Sequence, residues 1–269
     1  MKLALSLFAV LGVLVGCGGS DADGPDQTDS GTAEYYATYW LSDYRPLYLM
    51  RFEGGLVYGF YLSDYGGQTF PEFPYAGFFV AHADSPGPLP ATYRGYEFDF
   101  DGKAKLPVQL DLLGVSGNWI DGAYKRGSDE VAPLFPSWYA TVETDPTKHT
   151  LAGSYGGYVR AVAASSSVEA TLDEGGTLAL KTATGCRIEG KLTARPLGNL
   201  YQTEVTLGSQ CPAPAGHYAG HAFQSWTRDV FIMLASPEAV DGVFFQLFAP
   251  RDPEVEPSRA RGASPPITR

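Results

Sequence analysis

The sequence predicts an all-β protein, an antiparallel meander that closes into an up-and-down barrel or folds as a sandwich, in one body or two related lobes. Three observations carry this. Glycine (32) and proline (20) make up 52 of the 269 residues, well above the roughly 12% usual in globular chains. Between residues 34 and 249 no long stretch repeats its apolar residues at helical spacing, whereas short apolar or alternating runs recur between glycine-rich turns. Hydrophobic residues at 44%, with 13% aromatics, are enough to fill a core.

Taken in order, the runs at 35–40, 47–52 and 56–61 are dense in aromatic and aliphatic side chains, and Glu53-Gly54-Gly55 supplies a tight hairpin between the second and third. Strands follow at 77–82, 93–100, 108–115 and 119–124. They are separated at Asp101-Gly102 and Ser116-Gly117-Asn118, which hold residues that tolerate the positive φ of hairpin turns. A run at 138–142 precedes Asp145-Pro146, where two lobes would meet. The second half reads as strands at 153–162, 168–172, 177–181, 186–193, 200–207, 217–226, 230–235 and 243–248, with turns at Glu174-Gly175-Gly176 and Asp241-Gly242. Connections this short pair sequence neighbours antiparallel.

Two internal echoes accompany the meander. Trp40-Leu41-Ser42-Asp43-Tyr44 recurs as Tyr61-Leu62-Ser63-Asp64-Tyr65, and a small-x-Tyr-x-Gly pattern begins at Ala91, Gly153 and Gly216. Each of the three leads into a stretch of similar strand order, so related modules are expected. Glycine beside tyrosine suits a place where a strand bends.

Cys186 and Cys211 read as a disulfide, and the pairing can be tested on paper. Opposed residues of a hairpin have a constant index sum, and this pair centres the turn between Gly198 and Asn199, inside Pro196-Leu197-Gly198-Asn199. The same sum pairs Leu192 with Val205 and Gly190 with Leu207 on an apolar face, and Thr193 with Glu204 and Lys191 with Thr206 on a polar one. Both cysteines share the parity of the apolar face.

The N-terminus carries an address. Met1-Lys2 is followed by an apolar run over 3–15, too short for a bilayer-spanning helix. Leu14-Val15-Gly16-Cys17 resembles the lipobox of bacterial lipoproteins. That resemblance implies cleavage after residue 16, acylation of Cys17 and attachment to a membrane through the N-terminal lipid; Gly18 in place of an aspartate favours the outer membrane. Residues 17–33 then form a flexible tether, 34–249 the β domain and 250–269 a disordered proline-rich tail. The stretch from Gly175 to Gly220, with Gly185-Cys186, Glu189-Gly190, Asn199-Leu200-Tyr201, Cys211 and Gly216-His217-Tyr218-Ala219-Gly220, is similar to uncharacterised β-barrel lipoproteins of bacteria. It implies an envelope setting and transfers no activity.

Candidate chemistry is thin. His217 and His221 are four apart, which on a strand separates them by about 13 Å, too far to share an ion. Ala152-Gly153-Ser154-Tyr155-Gly156 resembles the nucleophile elbow of some lipases, yet a β-like run follows it rather than a helix. Asp99 and Asp101 fit a polar turn. No metal site, cofactor or catalytic set emerges. Tyr35, Tyr36, Tyr39, Trp40 and Tyr44 crowd the first strand and could present flat faces to a glycan or small hydrophobic ligand, or simply fill a β core. A net charge of −11 argues against nucleic acid and anionic lipid as partners. The expectation is a non-catalytic envelope lipoprotein acting as a binding or structural module, with a hydrolase of carboxylate or serine chemistry as the alternative.

Overall fold

The computed structural model describes residues 33–39, 46–52, 54–62, 75–116, 119–128, 131–134, 139–140, 151–195, 200–225 and 228–250. The expected signal peptide, nearly all of the tether with Cys17, and the tail beyond Pro250 lie outside these residues.

The first body is one antiparallel sheet of nine strands: β1 (Ala33–Tyr39), β2 (Pro46–Phe52), β3 (Leu56–Leu62), β4 (Tyr75–Ala83), β5 (Ala91–Asp99), β6 (Ala104–Ser116), β7 (Trp119–Arg126), β8 (Ala132–Pro133) and β9 (Tyr139–Ala140). The strands are ordered β8-β7-β6-β5-β4-β3-β2-β1-β9. This order forces the sheet to curl. A flat sheet of nine strands would hold its outer strands roughly 38 Å apart. The chain from Leu134 to Tyr139 spans at most about 18 Å. The two edges therefore come round towards each other.

The second body is a closed barrel of β10 (Gly153–Ala161), β11 (Ser165–Leu172), β12 (Thr177–Thr182), β13 (Arg187–Ala194), β14 (Leu200–Leu207), β15 (Gly216–Gln224), β16 (Val230–Ala235) and β17 (Gly242–Phe248), with β17 pairing back on β10. The all-β antiparallel meander is thus borne out, as a barrel beside a curled sheet rather than a sandwich. Every strand read from the sequence is present, and the two-residue β8 is the addition.

Burial explains why the strand patterns differ. Along β11 and β12 exposed and buried residues alternate, as expected of strands with one face in water. β3, β16 and most of β17 are buried on both faces. Their second face meets the other body. Met50, Phe52, Tyr58, Phe60, Phe78 and Phe98 from the curled sheet pack on Phe231, Met233 and Phe244 from the barrel. Phe60 stacks on Phe223 and Phe231, with ring centroids 5.6 Å away in both cases. Across the same seam Arg160 of β10 donates to the Tyr75 carbonyl and, at 3.1 Å, to Asp101. Gly242, expected as a turn residue, stands where a Cβ would overlap the Phe98 ring, so close packing across the seam requires it.

The three Tyr-x-Gly patterns open β5, β10 and β15, one inside the curled sheet and two in the barrel, so their spacing does not mark modules. What they share is local. Tyr93, Tyr155 and Tyr218 are buried, and a Cβ on Gly95, Gly157 or Gly220 would overlap the carbonyl oxygen of Val80, Gln246 or Met233 on the adjacent strand. Tyr155 and Tyr218 each donate a hydrogen bond to the carbonyl four residues upstream, at 2.7 and 3.1 Å.

The Cys186–Cys211 bond is present, with Cα atoms 4.8 Å apart. The hairpin register differs from the expected one by two residues. Ile188 pairs with Leu207 and Gly190 with Val205. The cysteines lie beyond the ladder, which ends where Gly208 N–H donates to the Arg187 carbonyl. A turn at Ser209-Gln210, with Gln210 at φ 70°, then brings Cys211 back to Cys186. Because the shift is even, the faces stay as expected: Leu192, Val205 and Leu207 are buried, while Lys191, Thr193, Glu204 and Thr206 are exposed.

Candidate functional site

Besides an exposed network of Asp84, Thr92, Arg94, Gln109 and Asp111, three places among the described residues bear on a site. The first is on the concave face of the curled sheet. Alternation along β5 turns Tyr93, Gly95, Glu97 and Asp99 inward, and Glu97 is fully buried. Its carboxylate accepts from two tyrosines on strands to either side: Tyr61 of β3 donates to Oε1, and Tyr124 of β7 donates to Oε2 at 2.6 Å. Arg126 of β7 stands 3.6 Å from Oε2 and binds Asp99 at 2.5 Å. Burial raises the Glu97 carboxyl above its ordinary range, against the two tyrosine hydrogen bonds and the Arg126 charge, which pull it down. Burial, with the adjacent carboxylate, pushes both phenols well above theirs. Leu47, Leu49, Val57, Phe79, Leu110 and Leu112 surround the cluster. With every acceptor engaged and no side of Glu97 open to water, this network holds strands together rather than meeting a substrate.

The second place is the seam. His221 of β15 is fully buried between Phe52 and Tyr58 of the curled sheet, with ring centroids 4.4 and 5.2 Å away. Arg195 lies 3.2 Å from its Nε2, and the guanidinium covers the Phe52 ring. Burial first, then the Arg195 charge, lowers its pKa to about 3. His217, on the same outer face of the strand, is exposed because the curled sheet does not reach it. The pair therefore divides into a surface histidine and a packed one, and the described residues hold no cluster of three or more potential metal ligands.

The third is a groove of about 930 Å3 on the outside of the barrel, crossing β10 to β13 and ending at Pro250. The barrel's interior offers no such space. Val159, Leu178, Ile188, Ile232, Val243, Phe245 and Leu247 are fully buried within it, so side chains fill it.

The remaining expectations distribute as follows. Tyr35, Tyr36 and Tyr39 lie on β1, where only the backbone is described, and Trp40 and Tyr44 lie outside the described residues. Ser154 sits within β10, a strand that leads into β11, so no nucleophile elbow forms. Asp99 accepts from Gly102 N–H at 2.8 Å, as a polar turn requires, but its other oxygen joins the Arg126 network. Sequence reasoning passed over Glu97, Tyr61, Tyr124 and Arg126. Alternation in β5 did carry a signal, since Glu97 and Asp99 share a face with Tyr93. Tyr96, Phe98 and Phe100 on the opposite face outweighed it. No family model, no curated protein and no solved structure matches this chain.

Proposed function

We propose that the protein is a non-catalytic envelope lipoprotein, held to the outer membrane by acyl chains on Cys17 and serving as a rigid binding or structural module. The observation that carries the non-catalytic part is the filling of both interiors. Side chains inside the barrel and inside the curled sheet are largely without contact to solvent. A glycan or small hydrophobic ligand would then meet the outer surface, not a cavity. The buried carboxylate of Glu97 has no path to a substrate, which weighs against carboxylate hydrolysis. The aromatic seam favours a single stiff unit, suited to displaying a surface at the end of a tether. The anchor rests on the Leu14-Val15-Gly16-Cys17 motif and on the need for more than one acyl chain for stable attachment. Cys17→Ser is expected to move the protein from the membrane to the soluble fraction; unchanged fractionation would overturn the anchor. Incubation with ester and glycoside panels is expected to give no turnover. Activity abolished by a point change would overturn the non-catalytic reading.

A further inference from the structure

The groove on the barrel lies away from the seam, and its wall is an in-register row running across five strands: Phe248, Gly156, Glu169, Lys181 and Arg187. Two features of this row call for an occupant. Lys181 and Arg187 stand directly opposite each other on β12 and β13, although like charges at opposed positions of a ladder repel. Both are exposed, and among the described residues neither forms an ion pair. Glu169, opposed to Lys181 from β11, and Glu189 also line the groove, yet among the described residues neither forms an ion pair with the two cations. That leaves Lys181 and Arg187 to an anionic segment that lies across the strands.

We propose that the occupant is this chain's own continuation, Arg251 to Glu256, with Glu254 reaching Lys181 and Glu256 reaching Arg187. The described chain leaves β17 at the end of the groove, where Phe248, Ala249 and Pro250 are part of its lining. From β17 the row reaches β12 after three strand spacings, roughly 14 Å, and β13 after four, roughly 19 Å. Extended chain advances about 3.3 Å per residue, so Glu254, four residues past Pro250, arrives at Lys181 and Glu256, six past, at Arg187. The sequence Arg251-Asp252-Pro253-Glu254-Val255-Glu256-Pro257 places acids at every second position. In extended chain those acids share one side, and Pro253, Val255 and Pro257 share the other, facing a floor that includes Ala179. Covalent linkage makes the docking intramolecular, so weak contacts suffice.

Hydrogen exchange on the full chain tests this. Amides of 254–256 are expected to exchange about tenfold more slowly than in an unprotected peptide, the scale of two modest ion pairs. Lys181→Glu with Arg187→Glu removes the protection. Adding Glu254→Lys and Glu256→Lys to that variant restores it, a rescue that a damaged barrel would not give. Should the barrel substitutions prevent folding, Glu254→Lys with Glu256→Lys in the otherwise unchanged chain still abolishes protection. Exchange at the unprotected rate in the parent protein overturns the proposal. So does protection that grows with protein concentration, which would place a second copy in the groove.

Discussion

Nη1 of Arg195 lies 3.2 Å from Nε2 of His221, and this contact selects which nitrogen of the buried imidazole carries its proton. A guanidinium only donates, so Nε2 accepts and the proton of the neutral ring resides on Nδ1. A second proton would put two cations in contact inside the seam.

Acid stability follows from that arrangement. The unfolded chain takes up this proton near pH 6.5, the folded chain at about 3. Across that window the unfolded state binds more protons. His221 therefore contributes stability that is whole above the upper bound and drains away as pH falls, at up to about 1.4 kcal/mol per pH unit. His221→Phe keeps a ring against Phe52 and removes the slope. Urea midpoints measured at neutral and mildly acid pH are expected to lie closer together in the variant. An unchanged separation would show that the seam does not hold the histidine neutral.

The Glu97 network titrates in the opposite sense. Its carboxyl pKa is raised in the folded state, so between the ordinary carboxylate value and the raised one the folded chain binds the proton more tightly. Stability from this group is present at low pH and declines as pH climbs through the raised value. The two phenol donors stabilise the anionic form against that burial. Tyr61→Phe or Tyr124→Phe should each cost ~1–3 kcal/mol, and the double variant should depart from additivity by more than about 0.5 kcal/mol. Chemical denaturation of the four proteins closes the cycle, and strict additivity would mean that the two hydrogen bonds act independently.

Adjacent glycines give a sharper contrast. A Cβ on Gly157 would overlap the Gln246 carbonyl, whereas one on Gly156 meets nothing within 4 Å. Gly157→Ala, like Gly95→Ala and Gly220→Ala, is expected to destabilise by about 1–3 kcal/mol. Gly156→Ala should leave the melting temperature near its parent value. Equal losses at the two neighbours would refute the close-approach account.

Reducing Cys186–Cys211 releases a loop with a sequence separation of 25. The chain-entropy model assigns such a loop roughly 3.5 kcal/mol. Peptide mapping without reductant is expected to recover the linked pair, and denaturation in dithiothreitol to show the loss. Two thiols that alkylate freely in the protein isolated without reductant would contradict the bond.

Much of the fold was legible because strand formation here depends on local signals. Alternation in β11 to β13, glycine at Gly55 and Gly176, and the shared parity of the cysteines each report on neighbouring residues alone. The hairpin register was missed because the cysteine sum assumed an unbroken ladder. The turn at Ser209-Gln210 lies after the strand and adds residues that no pattern marks. The candidate sites were less legible. Tyr61, Glu97 and Tyr124 come from three strands, and only the curl of the sheet brings their side chains together.

By itself the sequence determined that the chain is an antiparallel meander, which residues alternate and which cysteines pair. The tertiary structure decided which strands have two buried faces. A run such as Val230 to Ala235 says only that both sides avoid water. Whether the second side meets a neighbouring body, a membrane or a partner depends on residues far away in the chain. Here Phe60 and Phe98 of the curled sheet supply that neighbour, and Phe52, Tyr58, Phe78, Phe231 and Phe244 join them in the seam.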